Sequence, residues 1–148
     1  MTDQLISFET AKLAKEKGFD IFTDFMNYYD LNGKFEERLC ENLDEDSDGD
    51  FCPGFNINNP TLYSNPYYPT AIYYPAPTQS LLQKWLREEH NSNIATMPWN
   101  SKTWWWQIED IGNYDSGFNL KSESDIQYNS YEEALEQGLI EALKLTKL

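Results

Sequence analysis

Basic residues are scarce in this chain, and their scarcity excludes several classes of partner. The 148 residues contain 11 lysines and arginines against 25 aspartates and glutamates, which gives a formal net charge of -14 at pH 7. A surface of this sign repels phosphate backbones and anionic lipid head groups. We therefore expect no direct binding of nucleic acid and no attachment to a membrane. A basic protein surface, a metal cation or a cationic ligand is electrostatically the easier partner.

Histidine is nearly absent, which limits the available catalytic and metal chemistry. His90 is the single histidine, so neither a histidine metal cluster nor a two-histidine relay can form within one chain. A dyad of His90 with Cys40 or Cys52 has no flanking signature in its favour. His90, beside Glu88 and Glu89 near a predicted helix end, is more simply a capping residue. Since nucleophile motifs and phosphate-binding loops are also missing, we predict a non-enzymatic protein without a cofactor.

Long apolar runs are missing as well. No run approaches the length that crosses a bilayer, and the first residues lack the basic-then-apolar pattern of a signal peptide. We therefore expect a reducing cytoplasm, with Cys40 and Cys52 as free thiols. A disulfide that closes the loop between them is the alternative.

Aromatic residues, by contrast, make up 16% of the chain, and three tryptophans are consecutive in the run 103–111. Consecutive indoles suit a pleated strand, in which aromatics are favoured and alternate side chains point to opposite faces. Because one face looks half solvated, we predict a sheet that helices cover on one side only. The inward face would carry Trp104, Trp106 and Ile108, and the outward face Trp105, Gln107 and Glu109.

Two segments, one near the start of the chain and one in its middle, carry signals for the start of a helix. Residues 7–17 begin at Ser7, a potential cap, and end before Gly18, which can adopt a left-handed stop. Residues 78–90 begin at Thr78, and their apolar residues recur at helical spacing. We predict a helix in each segment, packed on the sheet.

The last helix, predicted at 130–145, has the clearest pattern. Ser130 and Glu133 have the spacing of a capping box, which satisfies amide donors at the first turn. Apolar residues then repeat at three and four positions. A row of small residues would let this helix approach the indoles closely: Ala134, Gly138 and Ala142.

The dipeptide Asn32-Gly33 predicts a tight hairpin turn, because both residues tolerate positive φ. The flanking strands would be 26–31 and 34–38. An amphipathic helix at 34–43 is the competing interpretation, since apolar residues recur there at four-residue spacing.

A second hairpin joins a strand at 94–99 to the tryptophan strand, and a brief strand at 118–120 can follow. From Thr78 onward, the predicted order is then helix, two strands, helix. We predict one α+β domain over residues 1–148, with a small antiparallel sheet and helices packed mainly on one face. An irregular acidic and Tyr/Pro-rich segment, at about 44–77, interrupts this pattern.

The acidic part of that segment resembles half of a calcium loop. Asp44, Asp46, Asp48 and Gly49 match the start of an EF-hand loop, in which alternating carboxylates converge on a hard cation. The twelfth position, where a bidentate Glu should stand, is Phe55. The sequence therefore predicts at most a weak Ca²⁺ site, and a solvated acidic loop is the alternative.

The Tyr/Pro-rich part, 60–77, contains five prolines. Proline lacks an amide donor and restrains the residue before it, so we expect an extended surface segment that can carry a partner site. Tyrosine and tryptophan offer rigid contact area for such a site. The candidate binding residues are Trp105, Tyr67, Tyr68, Tyr73 and Tyr74.

Four pieces of the chain together resemble a family of small uncharacterised proteins from phages and prophages of Bacteroides-like bacteria. The pieces are ISFETAKLAKEKGF, YYPAPTQSLLQKWLREEHN, WWWQIE and YNSYEEALEQGLIEALKL, which cover about half of the chain and include both ends. The family has no assigned activity, so the resemblance implies a mobile-element source and a bacterial cytoplasm. It supplies no functional residues.

Two functions remain open at this point. The first is a phage accessory protein that binds a host protein with a basic surface, since an acidic surface steers toward basic partners. Mimicry of nucleic acid by spaced carboxylates is a variant of it. The alternative is a protein that binds or sequesters a small ligand, such as a nucleotide, in an aromatic pocket.

Overall fold

A computed structural model describes residues 3–19, 25–39, 73–112 and 119–147. Helices and antiparallel strands occur together, which confirms the α+β class. The strands form two three-stranded sheets, whereas the sequence predicted one small sheet built on the tryptophan strand. The elements are α1 (Phe8–Glu16), β1 (Phe25–Asp30), β2 (Phe35–Leu39), β3 (Tyr73–Pro75), α2 (Gln79–His90), β4 (Ser92–Pro98), β5 (Trp104–Asp110), β6 (Leu120–Glu123) and α3 (Tyr131–Leu145).

Contacts divide the chain into two compact units. One consists of Ser7–Pro77, and the other combines Met1–Ile6 with Thr78–Leu148. The first unit contains α1 and the sheet β2-β1-β3, and the second contains α2, α3 and the sheet β4-β5-β6. That residues 1–148 form a single domain stays a prediction.

In the unit Ser7–Pro77, helix α1 begins and ends as its sequence signals predict. The Ser7 hydroxyl accepts a hydrogen bond from the Thr10 amide at 3.3 Å, which satisfies a donor that the first turn leaves open. Gly18 follows the helix with φ of 92°, in the left-handed region. Ala11 and Ala14 are buried on its inner side.

The hairpin of β1 and β2 is confirmed, and the helical alternative is wrong for residues 35–39. Asp30 holds the turn, because its carboxylate accepts from the amides of Asn32 at 2.8 Å and Lys34 at 2.9 Å. Gly33 has φ of 85°, a conformation that favours glycine. The remainder of the alternative helix, 40–43, lies outside the described residues.

The end of the Tyr/Pro-rich segment is extended, as predicted, but residues 75–77 are buried and do not lie on the surface. Tyr73–Pro75 forms an edge strand that pairs antiparallel with β1. Pro75, Ala76 and Pro77 are buried. Prolines are compatible with an edge strand, where one side of the backbone needs no ladder partner. The Tyr28 side chain, also buried, lies on the neighbouring strand opposite Pro75.

In the other unit, α2 begins at Thr78, whose hydroxyl accepts from the Leu81 amide at 3.2 Å. Asn91 ends the helix in the left-handed conformation, with φ of 54°. The helix packs against β4 and α3. Its buried face consists of Gln79, Leu82, Trp85 and Leu86.

The tryptophan strand lies in the middle of the sheet β4-β5-β6, antiparallel to both neighbours. Trp106 and Ile108 are buried and point inward, as the alternation predicts. Trp104 shares their face and is half-buried, with its ring edge-on to Tyr131 at 5.4 Å between centroids.

The order helix, two strands, helix is wrong for this unit, because β6 makes a third strand. The strand predicted at 118–120 extends instead over Leu120–Glu123, where it pairs with β5. The strand predicted at 94–99 also begins two residues earlier than predicted, at Ser92.

Helix α3 closes the inward face of this sheet. The Glu133 amide donates to the Ser130 hydroxyl at 3.1 Å, which confirms the predicted cap. The return bond of the capping box runs one residue further back, from the Asn129 amide to the Glu133 carboxylate at 3.3 Å. Ala134, Gly138 and Ala142 are buried, and the helix packs on β4 and β5.

Candidate functional site

The site that the sequence predicts at Trp105 lies on the sheet face opposite to α3. Strand alternation places every second residue of β5 on this face, and cross-strand partners share it. Met97 lies opposite Trp105, and Glu123 lies opposite Gln107. We call this set the outer face. It consists of Asn93, Ala95, Met97, Trp99, Trp105, Gln107, Glu109, Leu120 and Glu123.

Two indoles form the aromatic end of the outer face. The rings of Trp99 and Trp105 are edge-to-face, with 5.9 Å between centroids and 86° between planes. Trp99 is 58% exposed and Trp105 is half-buried. This geometry is the one that aromatic pairs prefer, so each ring restrains the other while much of the Trp99 indole stays accessible.

The hairpin turn fixes this indole pair in place. The Trp99 amide donates to the Thr103 carbonyl at 2.9 Å, which continues the strand pairing past Pro98. The Asn100 side-chain oxygen accepts from the amides of Lys102 at 2.8 Å and Thr103 at 2.9 Å. Because these hydrogen bonds close the turn, the indoles lie at a restrained end of the sheet.

Carboxylates occupy the other end of the outer face. Gln107 donates from Nε2 to Glu109 Oε1 at 3.2 Å, which orients that carboxylate. Glu123 is exposed opposite Gln107, and Leu120 is exposed opposite Glu109. The outer face therefore combines rigid aromatic surface with negative charge along one sheet.

The residues of this site that the sequence alone did not identify include Trp99 and Met97. The sequence predicts Trp99 at the end of a strand and gives no signal for a role of Met97. The signal that could have found them is the hairpin register: a turn over 100–102 sets Met97 opposite Trp105. Their place on the outer face follows once that register is known.

Of the other candidate binding residues, Tyr73 and Tyr74 lie in β3, whereas Tyr67 and Tyr68 lie outside the described residues. Tyr74 is half-buried in β3, where its ring lies edge-on to Phe8 at 5.7 Å and under the Lys15 ammonium at 5.4 Å. Burial lowers the pKa of Lys15. Tyr73 pairs with Asp30 through its backbone. The remaining predicted residues lie outside the described residues: Tyr67, Tyr68, the calcium candidates Asp44, Asp46 and Asp48, and the cysteines Cys40 and Cys52.

His90 is the last residue of α2, but the cap itself is Asn91. The imidazole lies edge-on to the Trp85 indole, with 4.6 Å between ring centroids. The prediction that His90 caps the helix is therefore wrong in its detail: the left-handed backbone of the following asparagine ends the helix, and the histidine ring packs back on the preceding turn.

Neither a metal-ligand group nor a membrane-spanning helix occurs among the described residues. Within the four described ranges, no three His, Cys, Asp or Glu side chains are grouped so as to hold a metal ion. The helices described there also include none that is long and apolar enough to span a bilayer.

Comparison with known proteins identifies no relative of this chain. No protein-family model, curated protein or solved structure matches the chain. The arrangement of its own residues is therefore the basis for a functional proposal.

Proposed function

We propose that this protein is a non-enzymatic binding protein whose outer face docks on a basic surface of a partner protein. The observation that carries this proposal is the Trp99–Trp105 pair, exposed at Trp99 and half-buried at Trp105, on the same sheet face as the carboxylates of Glu109 and Glu123. The resemblance to phage proteins stays a prediction, and under it the partner would be a host protein in the bacterial cytoplasm.

The indole pair supplies the apolar part of such an interface. Tryptophan is enriched among residues that dominate binding energy, because it buries a large area with few rotatable bonds. The hairpin turn already restrains both rings, so binding them costs little conformational freedom. A partner arginine can also stack on an exposed indole face, where the ring quadrupole attracts a cation.

The carboxylates supply specificity for a basic partner. A net charge of -14 attracts basic proteins over long range, and Glu109 and Glu123 can then pair with lysines or arginines at close range. The variant in which spaced carboxylates imitate a nucleic-acid backbone stays a prediction. The adjoining indoles favour a protein surface with apolar as well as basic groups.

A photo-crosslinking experiment tests which surface is used. A benzophenone amino acid is placed at Trp99 in the full chain, and a matched probe is placed at Ile126, which is 60% exposed outside the outer face. We expect a defined crosslinked partner in bacterial cells from position 99 and none from position 126. The same product from both positions, or none from position 99, would contradict docking through this face.

The affinity of the purified partner then tests the chemistry. Trp99→Ala should weaken binding by about 30-fold, as a central interface tryptophan does, and Ile126→Ala should leave it unchanged. Glu109→Gln and Glu123→Gln should lower the association rate and its dependence on salt. Glu88→Gln, an exposed carboxylate of α2, is the matched control for charge. A partner that responds equally to all three glutamate variants recognises only the overall charge.

A further inference from the structure

A second feature, independent of the outer face, lies where the C-terminal ends of α2 and α3 meet the sheet. These ends and a residue of β6 line a cavity of about 470 Å³. This volume falls within the range of small-molecule sites. The lining residues are His90, Ser92, Lys121, Leu145, Thr146 and Lys147.

A β-bulge brings Lys121 to this cavity. Ser122 pairs with Ile108 and Leu120 pairs with Glu109, so Lys121 is an extra residue without a cross-strand partner. A bulge of this kind redirects a side chain that regular pleating would place elsewhere. Lys121 Nζ lies 3.1 Å from Ser92 Oγ and donates to it. Ser92 is on the same strand face as Ile94, so the lysine reaches the side of the sheet that the helices cover.

The hydroxyl groups of the cavity are held in defined positions. Ser92 is only 2% exposed, and its hydroxyl makes a long bond of 3.4 Å to the His90 carbonyl. Thr146 is buried, and its hydroxyl donates to the Ala142 carbonyl at 2.9 Å. The Ser92 hydroxyl therefore has a weak donor bond that a better acceptor in the cavity can replace.

The cavity is lined by basic side chains, although the chain as a whole is acidic. Two of the 11 basic residues, Lys121 and Lys147, line it together with the single histidine. The C-terminal ends of two helices contribute about half a negative charge each, which offsets only part of the charge of two ammonium groups. Lys147 alone could be a simple complement to a helix end. Lys121, however, comes from a strand and reaches the cavity only because of the bulge. Complementing the charge of a helix end would not require that arrangement.

We propose that this cavity binds the phosphate group of a small phosphorylated molecule. A phosphate monoester carries a charge of about -1.5 to -2 and three acceptor oxygens, which matches two lysine ammonium groups and a serine hydroxyl better than a single carboxylate does. Leu145 offers apolar contact for the organic part of the ligand. Lysine serves as a point charge in many phosphate sites.

The test uses the full chain, isotopically labelled, and inorganic phosphate as the probe. Titration followed by amide chemical shifts should give saturable changes at Ser92, Lys121 and Thr146, with a Kd on the order of 1 mM. Sodium acetate and sodium chloride at the same ionic strength are parallel arms. Scattered or non-saturating shifts overturn the proposal. Acetate that binds as tightly as phosphate overturns the assignment to phosphate and points to a carboxylate ligand.

Variants assign the binding to the lysines. Lys121→Gln should weaken phosphate binding by about tenfold or more, while Lys102→Gln, the same change at the far end of the β4–β5 hairpin, should have no effect. Lys147→Gln, at an exposed position beyond α3, should weaken binding without touching the sheet. It keeps the test valid if Lys121→Gln disturbs the bulge. Equal losses in all three variants would mean nonspecific charge attraction and overturn the site.

Discussion

Gly138 of α3 lies directly on Trp106 of β5. A Cβ built on Gly138 would lie 3.2 Å from Trp106 Cβ and 2.9 Å from the Cγ2 methyl of Ile94. Contacts this short leave no room for a methyl group, so the glycine sets how closely the helix approaches the sheet. Trp106 and Ile94 are both buried at this contact.

Gly138→Ala should therefore destabilise the protein, although alanine favours helices. The better helix propensity contributes about 1 kcal/mol, whereas overpacking against two buried side chains costs about 1–3 kcal/mol. We expect a net loss of about 1 kcal/mol, and a larger loss for Gly138→Val. Urea unfolding followed by tryptophan fluorescence measures it, since all five tryptophans lie in the unit that contains this contact.

Gln137→Ala is the matched control, because this neighbour on the same helix is exposed. Its effect should stay within about 0.5 kcal/mol of zero. A Gly138→Ala protein that is more stable than the wild type would show that α3 sits further from the sheet than the structure places it.

Removing the cap of α3 should cost about 1 kcal/mol. Ser130→Ala deletes the oxygen that accepts from the Glu133 amide at 3.1 Å, and this donor has no other helical acceptor in the first turn. Ser130→Asp restores an acceptor and places negative charge at the helix start, so it should recover most of the loss. Equal stabilities for the alanine and aspartate variants in the same urea experiment would argue against a capping role.

The three caps show why helices were predictable from this sequence. Ser7, Thr78 and Ser130 each sit within three residues of the amide they satisfy. The hairpins were predictable for the same reason, because a turn such as Asn32-Gly33 is also a local signal. The alternation of buried and half-buried residues along β5 follows from strand geometry alone.

What the sequence did not reveal depends on contacts that are distant along the chain. Tyr73–Pro75 pairs with a strand more than 40 residues earlier, and nothing local in a proline-rich segment indicates that partner. The register of β6, and with it the bulge at Lys121, depends on packing against β5. The cavity joins residues 90 and 147, so its charge could not be seen from any one segment.

Gly33→Ala should destabilise the β1–β2 hairpin by about 1–2 kcal/mol, since the residue adopts φ of 85°. The added Cβ would also lie 3.0 Å from the Phe8 ring. Because the residues of this unit include no tryptophan, amide hydrogen exchange is the suitable measurement. The Gly33 and Asp30 amides, which are hydrogen-bonded across the turn, should exchange faster.

Asn32→Ala is a companion to this experiment. Only glycine in the turn has positive φ, so replacing Asn32 should perturb exchange much less than replacing Gly33. The reverse order of effects would indicate a turn with its left-handed residue at the other position.

Lys15 should make stability depend on pH in the alkaline range. Its pKa is lowered in the folded protein by burial, relative to an unfolded value of about 10.5. Between the lowered pKa and that value, the unfolded chain binds more protons than the folded chain, so stability rises with pH. Below the lowered pKa both states hold the proton, and the slope from this residue is zero.

Lys15→Gln removes this contribution and isolates it. The free energy of unfolding of the wild type minus that of the variant should be constant near neutral pH and increase as the pH rises toward 10.5. Urea unfolding followed by far-ultraviolet circular dichroism at several pH values gives the difference, and titrations shared by both proteins cancel in it. A difference that falls with rising pH would mean that the contact of the ammonium with the Tyr74 ring outweighs the cost of burying the charge.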